Sequence, residues 1–472
     1  MRDELTITST KKLRGEITVP GDKSISHRAV LIGSIAEGTT IITNFLRGED
    51  CLSTIKCMRQ LGVTIDVEGH SVTVTGKGQH LNPTAETLDA GNSGTTVRLL
   101  LGILAGQKFS STLTGDNSLR SRPMLRVAEP LRQMGAIIEG QNGGDKLPLK
   151  VDGGNLNNIT YEMPVASAQV KSAILLAALY ANNTTTVIEQ NPSRDHTELM
   201  LKQFGASITT SKGFEEEKNL GTGSVLKKNQ IHEISLTSMK STENLPNIIR
   251  LNQTSQLQGC SVYIPGDISS AAFFMVAAAI IPGSRVLLHN VGINPTRTGI
   301  IDVLKQMGAD IAITEVSGQS KSKCNPNYEP VADILICGGN RLTSVIVEGH
   351  LIPRLIDEIP AITAAALFAE GTTVIKDAAE LRVKESDRIA ILARQLSLMG
   401  ASIKEQPDGL QIKGGNPLKG CTCESKGDHR MAMTFAIAGL KASGKTTIKD
   451  SRCIEISYPS FFDDLKKLIM RD

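Results

Sequence analysis

A sixfold internal repeat constrains the fold of this chain more than any other feature of its sequence. Each unit opens with a turn of small residues, runs into an apolar helix and passes a Gly-Thr or Thr-Thr strand. Most copies close with a second helix ending in Met-Gly or Leu-Gly. The openings read GDKSISHR (residues 21–28), GNSGTTVR (91–98), ASAQVK (166–171), PGDISSAA (265–272), IDEIPAIT (356–363) and GDHRMAM (427–433). The closing glycines, Gly62, Gly135, Gly205, Gly308 and Gly400, are spaced by 73, 70, 103 and 92 residues. Such a repeat means equivalent supersecondary units that bury their apolar faces against one another. Departures from the symmetry then point to chemistry.

At 472 residues the chain exceeds one ordinary domain, and two of about 200 residues each are expected. Hydrophobic residues make up 40% and charged residues 21%, as in soluble proteins. Aromatics are only 3%, with no Trp, which argues against stacking platforms for nucleic-acid bases. A net charge of +3 sets up no field favouring nucleic acid or membrane. The apolar run 271–281 is too short to span a bilayer, and MRDELTITSTKKLRG lacks the apolar stretch of a signal peptide. The eight cysteines are dispersed, and Cys421 and Cys423 have no CxxC or His partner nearby. This pattern fits a reducing cytoplasm rather than a disulfide framework or a zinc site.

Within the first unit, 26–35 is apolar on one face, with Ser24 or Ser26 as N-cap. The segment 38–45 is rich in β-branched residues and reads as a strand. An amphipathic helix over 49–61 stops at Gly62, and 63–67 with 71–75 reads as a hairpin. The second unit repeats this at 95–105, 109–113 and 124–134. The reading is an α/β protein of six βαβαββ-like units in two groups of three. Two polar segments, 209–257 and 317–330, lengthen the period and read as elongated hairpins or surface loops.

The openings gather cations. GDKSISHR sets Lys23, Ser24 and Arg28 around a helix start, where free N–H groups and the helix dipole favour an anion. Lys and Arg add charge-assisted hydrogen bonds; the spacing is not that of a P-loop. The second opening supplies Asn92, Ser93, Gly94, Thr95 and Arg98, with Gly94 placed for close backbone approach to a ligand. Arg120 and Arg122 precede Pro123 and suit the first turn of a helix. They do not share a face, and Arg122 is the one expected to enter a site. In LRVKESDRI, Lys384 and Arg388 stand at i and i+4 beside Glu385, which costs stability unless an anion or carboxylate lies between the two cations. In IDEIPAIT one of Asp357 and Glu358 is expected to cap the helix, leaving the other as a candidate base. His429 ranks below Arg430 in GDHRMAM, and SRDHTE contributes Arg194 and His196 without a metal-ligand spacing.

Taken together and in order, these segments resemble the 3-phosphoshikimate 1-carboxyvinyltransferase (EPSP synthase) family over nearly the whole chain. The matching motifs are GDKSISHR, GNSGTTVR, GDNSLRSRPM, SAQ, SRDHTE, GD-x-SSAA, DE-x-P, LRVKESDRI and GDHRMAM. The resemblance implies the two-domain enolpyruvyl-transferase fold, with three βαβαββ repeats per domain, helices inside and a ligand cleft between domains. One domain would span 21–262, the other 1–20 plus 263–472. It implies transfer of the enolpyruvyl group of phosphoenolpyruvate to the 5-hydroxyl of shikimate 3-phosphate, with release of phosphate, in a cytoplasmic monomer without cofactor or metal.

Carried over by motif, Lys23, Ser24, Arg28, Ser167, Ala168, Gln169, Arg194, Asp357 and Lys384 would line the shikimate 3-phosphate site. Lys23, Gly94, Arg122, Gln169, Arg388 and Arg430 would hold phosphoenolpyruvate. Asp357 resembles the base for the 5-hydroxyl proton, and Glu385 with Lys23 the acid set that protonates the methylene carbon. Gly94, where some members have Ala, implies a pocket open to glyphosate. Ile456 stands where some members carry a Lys. The related UDP-N-acetylglucosamine enolpyruvyl transferases use a loop Cys where this chain has GDNSLRSRPM, and no Cys lies between Cys57 and Cys260.

Overall fold

The computed structural model describes residues 3–213, 245–253, 256–316 and 328–469. A buried helix begins at each opening: Lys23–Ile35, Gly94–Ala105, Ala168–Ala178, Ile268–Ile280, Ile359–Ala366 and His429–Gly439. Every residue of Ile268–Ile280 and of Ile359–Ala366 is buried. Helices apolar on all sides need cover on all sides. Among the described residues six small sheets supply it, five of four strands and one of three.

The second unit gives the plan. Leu88–Asp89 runs parallel to Ser110–Thr114, which pairs antiparallel with Lys146–Asp152, and that strand with Ile137–Gln141. The third and fifth sheets repeat the order. The closing glycines end the second helices with positive φ, from +84° at Gly62 to +108° at Gly135, a conformation only glycine adopts without strain.

Two units break the plan by exchanging their leading strands. Arg14–Thr18, which precedes the first opening helix, pairs parallel with Arg285–Gly292 of the fourth sheet. Ser261–Tyr263, which precedes the fourth opening helix, pairs parallel with Thr39–Thr43 of the first sheet. The two crossing segments hydrogen-bond to each other, Asp22 N to Pro265 O at 2.8 Å and Asp267 N to Pro20 O at 2.9 Å. The sixth sheet is completed from the other end of the chain: Glu4–Thr8 pairs antiparallel with Lys445–Lys449. The buried apolar side chains accordingly fall into two clusters. One runs from Ile25 to Ile264; the other takes Ile7 to Val19 and Ile268 to Leu468.

Of the two period-breaking segments, 214–244, 254–255 and 317–327 lie outside the described residues. Their flanks are antiparallel pairs, Ile208–Lys212 with Asn247–Leu251 and Asp310–Glu315 with Val331–Cys337. Two local expectations are corrected. Asp22 caps the first opening helix by accepting from Ile25 N, so Ser24 and Ser26 fall inside it. Arg122 is not in a first turn: it ends the short helix Asn117–Ser121, and the next helix starts only at Leu125.

Helix Gly94–Ala105 packs so closely on Ala168–Ala178 that a Cβ at Gly102 would lie 2.3 Å from the carbonyl oxygen of Ala173. Backbone cannot give way as a side chain does. Gly102→Ala should therefore destabilise the protein by about 1–3 kcal/mol, read as a lowered thermal midpoint by calorimetry. An unchanged midpoint would contradict this packing.

Candidate active site

Residues at or just before the starts of all six opening helices line one cleft of about 610 Å³. Lys23 and Ser24 come from the first, Gly94 and Thr95 from the second, and Ser167, Ala168 and Gln169 from the third. Asp267 and Ser269, Asp357, and Arg430 come from the remaining three. The positive ends of six helix dipoles thus face a common space. Five of the starts are capped by side chains: Asp22, Ser93, Ser167, Asp267 and Asp428 each accept from a first-turn N–H.

The fifth start departs from the others, and from the expectation that one of its carboxylates caps. Neither does. The preceding turn, Leu351–Leu355, supplies its own carbonyl to Glu358 N at 2.9 Å, and Pro360 has no N–H to satisfy. Both carboxylates are therefore free for other partners. Glu358 is fully buried and accepts from Ser269 Oγ. Asp357 meets four cations: Arg194 Nη2 at 2.6 Å, Lys384 Nζ at 3.3 Å and Arg388 Nη1 at 3.4 Å reach its carboxylate, and Arg430 donates to its carbonyl at 3.0 Å. Burial pushes the Asp357 carboxyl up, but these cations outweigh it and hold the pKa well below the usual range.

Lys384 and Arg388 do meet a carboxylate between them, though not from one helix face. Asp387 caps helix Arg388–Leu398 through Ala390 N, so the helix begins after Lys384, whose backbone is extended. Arg388 is fully buried and also pairs with Glu385 at 2.6 Å and Asp428 at 2.8 Å. Burial raises the Glu385 carboxyl, and Arg388, His429, Arg122 and Lys23 together bring it well below its ordinary value. Lys23 pairs with Asp50 at 2.9 Å. Burial lowers its pKa, but Asp50 and Glu385 raise it further, so Lys23 stays protonated.

Arg122 enters the cleft and hydrogen-bonds Asn92 Oδ1 at 2.7 Å, while Arg120 is exposed against Thr114. A Cβ at Gly94 would touch Arg122 and Arg98 at 3.5 Å, ordinary contact distance. Gln169 accepts from Arg98 at 2.6 Å and donates to Thr95 at 3.0 Å. Ser193, next to Arg194, is held by a buried triad: Lys171 pairs with Glu189 at 2.9 Å and Glu198 at 2.7 Å, and Ser193 donates to Glu189. Arg28 and Arg388 are not among the residues that line the cleft. Arg28 sits one layer back, on Ser24 O, Thr197 and Ser172. Ile456 is also outside the lining.

The model of the family described as EPSP synthase (3-phosphoshikimate 1-carboxyvinyltransferase) matches residues 7–229 and 239–465. This chain belongs to that family. A 3-phosphoshikimate 1-carboxyvinyltransferase of Desulforamulus reducens is 50% identical over 99% of this chain and 100% of its own length. One from Thermoanaerobacter sp. is 52% identical over 97% and 98%. A solved EPSP synthase from Acinetobacter baumannii superposes with a TM-score of 0.79 at 43% identity, covering 98% of both chains. The family fold read from the sequence is therefore the fold of this chain.

Three groups at the cleft escaped the sequence reading. Arg126 crosses it to pair with Glu380 at 2.9 Å, Asp50 holds Lys23, and Arg297 is buried among carboxylates. Arg126 sits in the first turn of helix Leu125–Gln133, just past the Arg122 segment, which is the only local pointer to it. Arg297 is the lone charge in GINPTRTGII, and a single Arg among apolar residues needs partners from elsewhere in the fold.

His429 is buried with both ring nitrogens unpartnered. Burial is the main cause that pushes its pKa down to about 3, from an ordinary 6.5. Between those values the unfolded chain binds a proton that the folded chain refuses, so this group's contribution to stability falls as pH falls. It amounts to at most about 1.4 kcal/mol per pH unit. The calorimetric midpoint of His429→Gln should depend less steeply on pH between 6.5 and 4.5 than that of the wild type; parallel curves would refute a neutral buried imidazole.

Proposed function

We propose that this protein transfers the enolpyruvyl group of phosphoenolpyruvate to the 5-hydroxyl of shikimate 3-phosphate and releases phosphate. One observation carries the reading. Cations from both core clusters, Arg194 from one and Lys384, Arg388 and Arg430 from the other, converge on a single carboxylate in a cleft ringed by helix starts. That is the charge pattern two polyanionic substrates require. Shikimate 3-phosphate is assigned to Lys23, Ser24, Ser167, Ala168, Gln169, Arg194, Asp357 and Lys384, with Arg28 bracing the layer behind. Phosphoenolpyruvate is assigned to Lys23, Gly94, Arg122, Gln169 and Arg430, with Arg388 behind them on Asp357, Glu385 and Asp428.

The electrostatics give a sequence of events. In the free protein Asp357 is too weak a base, because its cations stabilise the charged form. Substrate phosphate and carboxylate groups compete for those cations. Burial then dominates, and the carboxylate becomes basic enough to take the 5-hydroxyl proton. The freed oxygen attacks C2 of phosphoenolpyruvate while C3 gains a proton. Lys23, protonated beside Glu385, is the proton-bearing member of that pair. Loss of a C3 proton with departure of phosphate completes the exchange. The cations stabilise charge on the leaving group throughout. The two core clusters support domains at 21–262 and at 1–20 plus 263–472. A site built from one chain supports a monomer, and dispersed free cysteines support the cytoplasm.

Phosphate release should require both substrates and be absent with UDP-N-acetylglucosamine. Asp357→Ala should lower kcat by roughly 10²–10⁴-fold; release with the nucleotide sugar instead, or full activity in the variant, would overturn the assignment. Gly94→Ala should fold normally, since its methyl only makes contact, yet raise the KM for phosphoenolpyruvate and weaken competitive inhibition by glyphosate. A wild type uninhibited at millimolar glyphosate would sink the open-pocket reading.

A further inference from the structure

Arg297 is 2% exposed and sits between strand Arg285–Gly292 and helix Gly299–Gln306. Its Nη1 donates to Asp22 Oδ2 at 3.1 Å and faces His196 Nε2 at 3.4 Å. Its Nη2 donates to Ser269 Oγ at 2.8 Å and Asp267 Oδ1 at 3.4 Å, and lies 3.6 Å from Glu358 Oε1. These partners are not scattered. Asp22 caps the helix that starts at Lys23 and follows the first chain crossing. Asp267 caps the fourth opening helix and follows the second crossing. Glu358 is the immediate neighbour of Asp357, and His196 stands two residues from Arg194.

We propose that Arg297 is a positioning residue for the reaction inferred above, holding the helix start that carries Lys23 in register with the one that carries Asp357. The planar guanidinium suits this task because it donates in fixed directions to several acceptors at once. An ammonium at the same place keeps the charge but cannot span both sides. Arg297 contributes to the cleft wall, but both terminal nitrogens are committed to protein and Nε is buried. Asp22, Asp267 and Glu358 would repel one another across a buried space without the cation. Removing it outright therefore threatens folding as well as alignment.

The inference rests on the proposed transferase reaction, so wild-type turnover is measured alongside to separate a failed reaction from a failed role for Arg297. Arg297→Lys keeps the charge and should fold. Its kcat should fall at least tenfold, while calorimetric affinities for shikimate 3-phosphate and for phosphoenolpyruvate change less than threefold. Glu358→Gln, which loosens the same link from the other side, should lower kcat in the same direction with both affinities kept. A folded Arg297→Lys protein with a lowered thermal midpoint but wild-type kcat would make Arg297 a stabilising residue only, and overturn the proposal. Affinity lost in step with kcat would make it a substrate ligand, and overturn it equally. Should Arg297→Lys not fold, wild-type kcat in Glu358→Gln decides against the proposal.

Discussion

The organising constraint is that six apolar helices are buried along their length and must still satisfy the N–H groups of their first turns. A buried N–H without an acceptor costs about 1–3 kcal/mol, so each start needs an oxygen. Five take it from their own Asp or Ser side chain. The fifth has no side-chain cap: Pro360 removes one donor, and the preceding turn binds the N–H of Glu358, the residue before the helix. Without a capping role, Asp357 faces the cleft, and Glu358 is buried behind it against Ser269. The candidate base exists because its helix does not need it as a cap.

Freed carboxylates in a buried space are costly unless cations attend them. The chain meets this by bringing Lys and Arg from several units to the same place, and Asp357, Glu385 and Asp428 are thereby held ionised. In the absence of substrate the carboxylates and cations neutralise one another. Binding of an anion is then an exchange of partners rather than the filling of a bare positive hole, and the same exchange changes the basicity of Asp357.

The repeat, the closing glycines and the helix and strand limits of the first two units were legible in the sequence because local rules set them: apolar period, β-branched runs, and a glycine at positive φ after each second helix. Lys23, Gly94, Arg122, Arg194, Lys384 and Arg430 were legible as site candidates because each sits on or beside a motif, and all line the cleft. What local rules could not give was partner choice. Whether Asp357 caps or meets Arg194 across the cleft depends on a group 163 residues away. Arg297 was invisible for the same reason, since all its partners come from distant segments.

The exchanged leading strands have a consequence for the chain as it is made. The first sheet lacks its edge strand until residues 261–263 have left the ribosome, and the strand Arg14–Thr18, among the earliest to emerge, has no neighbour until Arg285–Gly292 follows. The strand Glu4–Thr8 waits longer still, for Lys445–Lys449 near the other end. The first half of the chain therefore cannot finish folding by itself during synthesis. Strands Glu4–Thr8 and Arg14–Thr18 stay unpaired until their distant partners are added, which leaves them open to mispairing and to proteases in the growing chain.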